Sequence, residues 1–166
     1  SADSSAPGLS VLLYGANTAA LELPGGTSLS LEQRTDFPWD GRISLEMTSV
    51  DGPSDFSVSL RIPDWAEGFK CSINGNPAEG VVTQQGFLTV KRSWCRGDRL
   101  DLELPLTVRL MESHPMVEEN RNQLCVMRGP LVYCVEGADI PDGVSIDQLF
   151  ISGETVFDTE SIVIEG

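Results

Sequence analysis

Polar and apolar residues alternate along most of this chain with a period of two. In SLSLEQ (28–33), Leu29 and Leu31 share one face, and Ser28, Ser30 and Glu32 take the other. RISLEM (42–47) repeats the pattern with Ile43, Leu45 and Met47. FSVSLRI (56–62) does so with Phe56, Val58, Leu60 and Ile62, and RLDLEL (99–104) with Leu100, Leu102 and Leu104. Such alternation predicts half-buried antiparallel strands, packed on one face and wet on the other. Turn signals separate the runs. INGN (73–76) contains Asn-Gly, which accepts the positive φ angles of a tight hairpin. QQGF (84–87) and CRGDR (95–99) place glycine at further turns, and Pro63 in RIPDWAEG (61–68) ends a strand because it has no amide hydrogen for a ladder bond. Strands and turns recur about every ten residues, the rhythm of a sandwich. The fold class read from this pattern is all-β, an antiparallel, jelly-roll-like β-sandwich over residues 9–108. Residues 109–166 form a second, incomplete β region or complete the first.

The texture changes after residue 110. MESHPMVEENRNQ (111–123) has few apolar residues and contains Pro115, so it predicts a loop. LCVMRGPLVYCVE (124–136) is apolar on both phases and is interrupted by Arg128-Gly129-Pro130. It reads as one bulged or broken strand, covered on both sides and set deeper than the others. VSIDQLFIS (144–152) and ESIVIEG (160–166) are weaker strand candidates. SADSSAPG (1–8) reads as a linker or an expression remnant. An apolar run within three residues of the last position suggests a chain cut from something longer.

Composition narrows the function. Of 166 residues, 40% are hydrophobic, enough for a real core. The 25 acids outnumber the 11 bases, giving a formal charge of −14 that disfavours nucleic acid and anionic membrane as partners. No run approaches the roughly 20 apolar residues of a membrane helix. The four cysteines, Cys71, Cys95, Cys125 and Cys134, form no C-x-x-C pair, and His114 is the only histidine. No metal site and no cofactor are therefore expected in this chain. Cys71 shares a phase with Phe69 and Ile73 and reads as a small core residue. Disulfides are left open; they would need an oxidising compartment, and a secreted or periplasmic location is favoured over a cytoplasmic one. There is no G-x-S-x-G elbow, no H-E-x-x-H and no phosphate-binding loop. His114 reads as an exposed loop histidine. Glu32, Glu46, Asp101 and Glu103 fall on the wet phase of their strands, where a carboxylate keeps ordinary acidity.

TDFPWDG (35–41) raises two readings. Phe37 and Trp39 could be the floor of a sugar platform, with Asp36 and Asp40 as hydrogen-bond acceptors and Trp65 a further candidate elsewhere. Alternatively the stretch is a corner between strands, with Pro38 and Gly41 setting the turn and Asp40 accepting bonds from its own backbone. The corner is the preferred reading, with Trp39 plugging one end of the sandwich and Trp65 and Trp94 packed likewise.

Four segments in order carry a resemblance: TDFPWDGRISLEM, FSVSLRIPDWAEGFKCSINGNP, GFLTVKRSWCRGDRLDLELPLTVRLMESHP and ENRNQLCVMRGPLVYCVEG. Over roughly residues 9–151 the chain resembles the region after the catalytic barrel in glycoside hydrolase family 127, the β-L-arabinofuranosidase group, and its relatives in family 146. The resemblance implies a parent with an α/α barrel that does the chemistry, followed by β-sandwich domains. It implies a cysteine nucleophile in a zinc site of cysteines and a glutamate, with a glutamate acid/base, all in the barrel. No two cysteines are adjacent here, so none of the four inherits that role. The resemblance therefore implies a non-catalytic portion whose partner is the barrel of the parent, and Trp39 gains a third reading as a barrel-facing contact. A carbohydrate-binding module docking glycan through exposed aromatics, and a protein-interaction domain, are the alternatives. Exposure of the aromatics separates them.

Overall fold

The structure is a computed structural model, and it describes residues 7–78, 80–82, 85–152 and 154–160. The described residues contain thirteen strands and three short 3-10 turns, with no α-helix. The chain divides into two compact units, Ser1–Leu106 and Thr107–Gly166.

The first unit is a two-layer sandwich. Its strands are β1 (Gly8–Val11), β2 (Asn17–Leu23), β3 (Thr27–Thr35), β4 (Arg42–Asp51), β5 (Asp55–Arg61), β6 (Lys70–Ile73), β7 (Asn76–Pro77), β8 (Val81–Val82), β9 (Phe87–Ser93) and β10 (Arg99–Glu103). One sheet has the order β1-β5-β9-β8 and the other β2-β3-β4-β10-β6-β7. All pairings are antiparallel except β1 with β5, which is parallel. The alternation in sequence becomes the alternation in burial. Leu29 and Leu31, Ile43, Leu45 and Met47, Phe56, Val58 and Leu60, and Leu100 and Leu102 all lie in one buried cluster between the sheets. Burying one such leucine or phenylalanine contributes roughly 1.5–3 kcal/mol, which is why the phase of each strand is strongly specified.

Two local irregularities serve that core. The register of β3 against β4 shifts between Ser30 and Leu31, so that Leu29 faces Val50 while Leu31 faces Met47. Positions 47 and 50 have opposite parity, and the extra residue of a bulge lets both pack inward. Gln33, on the inward phase of β3, is buried. Its amide nitrogen donates to the carbonyl of Gly15 at 2.6 Å, which satisfies the buried group and ties down the β1–β2 connection. The Asn74-Gly75 turn adopts the expected positive φ angles, 51° and 80°, between β6 and β7.

The second unit holds a three-stranded antiparallel sheet, β11 (Val108–Glu112), β12 (Leu124–Arg128) and β13 (Leu131–Tyr133). LCVMRGPLVYCVE is thus a hairpin turning at Gly129-Pro130, where the sequence suggested a single broken strand. Nor does it lie deep: its side chains are half-buried or exposed. Pro130 cannot donate a ladder bond and Gly129 sits at φ 57°, so the pair makes a turn instead of a bulge. Within the predicted loop 111–123, β11 runs to Glu112 and a 3-10 turn forms at Glu118–Asn120. In 144–152 a 3-10 turn at Ile146–Gln148 replaces the suggested strand. All of ESIVIEG after Glu160 lies outside the described residues.

Candidate functional site

The three tryptophans sit beside strand ends but meet different fates. Trp94 follows β9 and is wholly buried. Its ring stacks on Phe56 at 6.1 Å, its indole N–H donates to the Phe56 carbonyl at 3.1 Å, and the Arg92 guanidinium lies 5.2 Å from its centre. The turn that follows, WCRGD, is locked by Asp98. Its carboxylate accepts from the Cys95 amide at 2.9 Å and from the Asn74 side chain at 2.7 Å. Burial pushes the Asp98 carboxyl up. The bonds from Asn74 and Cys95 and the charge of Arg92 outweigh that and hold it below its ordinary value.

Trp65 lies on the connection between β5 and β6 and is half-buried, packed against the core. That connection is folded by local bonds, from the Ala66 amide to the Pro63 carbonyl and from the Phe69 amide to the Ala66 carbonyl.

Trp39 is 70% exposed. It does not plug the sandwich, which corrects the packed-corner expectation for this residue. The reason lies in the turn between β3 and β4. The Trp39 and Asp40 amides both donate to the Asp36 carbonyl, and the Phe37 amide donates to the Thr35 hydroxyl. Phe37 is the residue that turns inward, edge-on to Tyr14 with ring centres 5.8 Å apart. Gly41 then presses against the backbone just after β10: a Cβ there would stand 1.9 Å from the Leu104 carbonyl oxygen. The end of the sandwich is closed by Phe37, Tyr14 and this backbone contact, and the Trp39 ring is left outside.

Asp40 does what the corner reading asked of it. Its carboxylate accepts from the Arg42 amide at 2.9 Å and takes a forked bond from the Arg42 guanidinium at 3.0 and 2.5 Å. That bond raises the Arg42 pKa. Residues 12–16 run beside this corner, tied to it by the Tyr14–Phe37 contact, and they carry exposed Leu12 and Leu13. Sequence reasoning did not select these leucines. The signal was present in VLLYG, three consecutive apolar residues that a period-two strand cannot all turn inward. The end of the sandwich thus shows Leu12, Leu13 and Trp39 to the outside, a surface able to stack on or pack against an apolar face.

The outer face of the six-stranded sheet is chemically different. A shallow groove of about 620 Å³ there is lined by Arg34, Arg42, Lys70, Asp101, Glu103 and Pro77, among others. Its charges are paired in place: Arg34 with Glu32, Lys70 with Glu103 and Arg99 with Asp101. Glu32 is held below the usual carboxylate range by its bonds to Arg34. Cys71, at the edge of this sheet, packs partly against the core. Burial and then the charge of Asp101 push its thiol up to about 11, so at neutral pH it is no thiolate. The four cysteines are free thiols. His114 is exposed, and its Nδ1 accepts from the Met116 amide at 3.3 Å, a local turn bond. Among the described residues no three of His, Cys, Asp and Glu are grouped so as to hold a metal ion.

Residues 8–106 match the family model described as "Beta-L-arabinofuranosidase, GH127 middle domain", and residues 108–163 match "Glycoside hydrolase family 127 C-terminal domain". The chain belongs to glycoside hydrolase family 127. A non-reducing end β-L-arabinofuranosidase from Bifidobacterium longum subsp. longum is 38% identical over 131 residues, which is 76% of this chain and 19% of that protein. Among solved structures, a glycoside hydrolase is 39% identical with a TM-score of 0.76, over 83% of this chain and 23% of its own. A GH127 β-L-arabinofuranosidase from Geobacillus stearothermophilus T6 is 32% identical with a TM-score of 0.70, over 77% and 20%. The chain therefore spans about a fifth of the length of these relatives.

Proposed function

We propose that this chain is the non-catalytic β portion of a glycoside hydrolase acting on β-L-arabinofuranosides or related plant glycans. Its exposed corner, with Leu12, Leu13 and Trp39, packs against the remainder of the parent protein. The partner is the α/α barrel that the family resemblance implies. One observation carries the reading: the two matched domains account for nearly the whole chain, yet the chain spans only about a fifth of the β-L-arabinofuranosidase it resembles. The residues described above support it. The best-placed carboxylates are engaged with neighbouring cations, and Cys71 is held as a thiol. The test is turnover of an aryl β-L-arabinofuranoside by the purified 166-residue chain. No hydrolysis and no stoichiometric zinc are expected. Turnover that disappears on substituting a residue of this chain would overturn the proposal.

The exposure of Trp39 also favours a second reading, in which the ring is a sugar platform. Titration of arabinan or arabinogalactan into the chain and its Trp39→Ala variant separates the two. Packing predicts binding in neither form. Binding by the native chain that is lost in a variant of unchanged melting temperature would promote the carbohydrate-binding alternative.

A further inference from the structure

The three-stranded sheet of the second unit is written differently from the sandwich. In the six-stranded sheet the outward phase carries Ser30, Glu32, Ser44, Glu46, Asp101 and Glu103. The same chain therefore makes a wet sheet face out of hydroxyls and carboxylates. In β11-β12-β13 neither phase looks like that. Register places Leu110, Val126 and Tyr133 side by side on one face, with Val108, Arg128 and Leu131 in the next row and Glu112 beside Leu124 at the other end. The other face carries Arg109, Met127 and Val132 in one row, and Met111 beside Cys125 in the next. Three of these strand residues are charged, and eight of the other ten are aliphatic or methionine, so both faces are mostly apolar. A sheet mostly apolar on both faces is the pattern of a layer covered on both sides.

That cover is incomplete in the burial, where the strand residues are half-buried or exposed. Among the described residues, every buried apolar side chain belongs to residues 23–104. None lies between 107 and 160. Tyr133 on one face is 51% exposed and Val132 on the other 63%. Further along, Phe150 and Val156 are 90% and 87% exposed. Fixing a residue costs roughly 1–2 kcal/mol of backbone entropy, and a segment whose described apolar side chains are at most half-buried has little to set against that. Strands β11 and β13 are also sheet edges whose outer backbone groups can pair with further strands.

We propose that the sheet of residues 108–133 is a middle layer, covered on each face by polypeptide of the same parent protein outside these 166 residues. This rests on the reading of the chain as part of a longer hydrolase. The occupant is argued from length: about four fifths of each matched relative lies outside the region shared with this chain. The partner chemistry follows from the faces. It is mostly apolar, and it meets Leu110, Val126 and Tyr133 beside Arg128 on one side and Met127 and Val132 beside Arg109 on the other.

Hydrogen exchange read by mass spectrometry tests this on the 166-residue chain and on the full-length parent. In the chain alone, amides of residues 108–133 are expected to exchange at least roughly 10-fold faster than those of β4, β5 and β10. In the parent they are expected to be slowed by at least roughly that factor. Val132→Lys and Tyr133→Lys, one on each face, are expected to leave the melting of the sandwich unit unchanged in the chain and to restore fast exchange in the parent. Three results would overturn the proposal: full protection of 108–133 in the monomeric chain, protection that grows with concentration as the chain dimerises, or equally fast exchange in the parent. Protection conferred by added arabinan alone would also overturn it, in favour of a glycan-binding face. Exchange is independent of turnover, so an inactive parent with a protected sheet would fail the hydrolase reading and leave this one standing.

Discussion

Gly41 shows how tightly a single position can be set. Its Cβ would overlap the Leu104 carbonyl oxygen, a backbone atom held in place by the Leu104 amide's own bond to the Gly41 carbonyl at 2.8 Å. Gly41→Ala is therefore expected to cost about 3 kcal/mol or more in chemical denaturation, above the usual overpacking range, because backbone must move. Two positions away, Trp39→Ala is expected to stay within about 0.5 kcal/mol, as surface substitutions do. A packed ring would have cost several times that. In the core, Leu60→Ala and Leu102→Ala should each cost about 2–5 kcal/mol through lost burial and a cavity. Glu103→Ala, one residue along and exposed, should stay within about 0.5 kcal/mol. Alkylation separates the thiols: at pH near 8, Cys95 and Cys134, which are exposed, should react with iodoacetamide well before Cys71, whose thiol is pushed up to about 11.

At the scale of elements, the WCRGD turn joins β9 to β10 and also holds β4 and β6. The Gly97 amide donates to the Met47 carbonyl at 2.7 Å, and the Met47 amide donates to the Asp98 carbonyl at 2.9 Å. Asp98 reaches Asn74 of the β6–β7 turn, whose side-chain oxygen in turn accepts from the Arg99 amide at 2.9 Å. The carboxyl is depressed in the folded state relative to its ordinary value of 3.8. The stability it contributes is thus fully present above that ordinary value and is lost as pH falls through the folded one. The stability gap between the native chain and Asp98→Asn is therefore expected to be constant from neutral pH down to roughly pH 5 and to shrink below it. A gap that widened on acidification would mean that the carboxyl is raised instead.

At the scale of the molecule, the buried apolar side chains among the described residues all belong to the sandwich. Removing residues 107–166 is expected to leave a domain that melts within a few degrees of the intact chain, measured by circular dichroism. A loss of all cooperative melting would show that the sandwich depends on the second unit. The formal charge of −14 acts at this scale too: net charge bears on association with other molecules and has no bearing on which face packs.

Period-two alternation alone identified Leu29, Leu31, Ile43, Leu45, Met47, Phe56, Val58, Leu60, Leu100 and Leu102 as core residues, and the structure buries all ten. That much is local, because successive side chains of a strand must point to opposite faces. The Asn74-Gly75 turn was legible for the same reason, since its φ angles belong to those two residues. The fate of the corner was not. TDFPWDG offers two aromatics, and whether Phe37 or Trp39 enters the core depends on Tyr14 and Leu104, residues 23 and 67 positions away from Phe37 in the chain. The bulge that turns both Met47 and Val50 inward depends on pairing with β3, and the parallel register of β1 on β5 depends on a partner some 50 residues distant. In LCVMRGPLVYCVE the apolar faces were legible but their depth was not, because burial is a property of what lies opposite, and that is decided by contacts between elements and not by the order of residues within one.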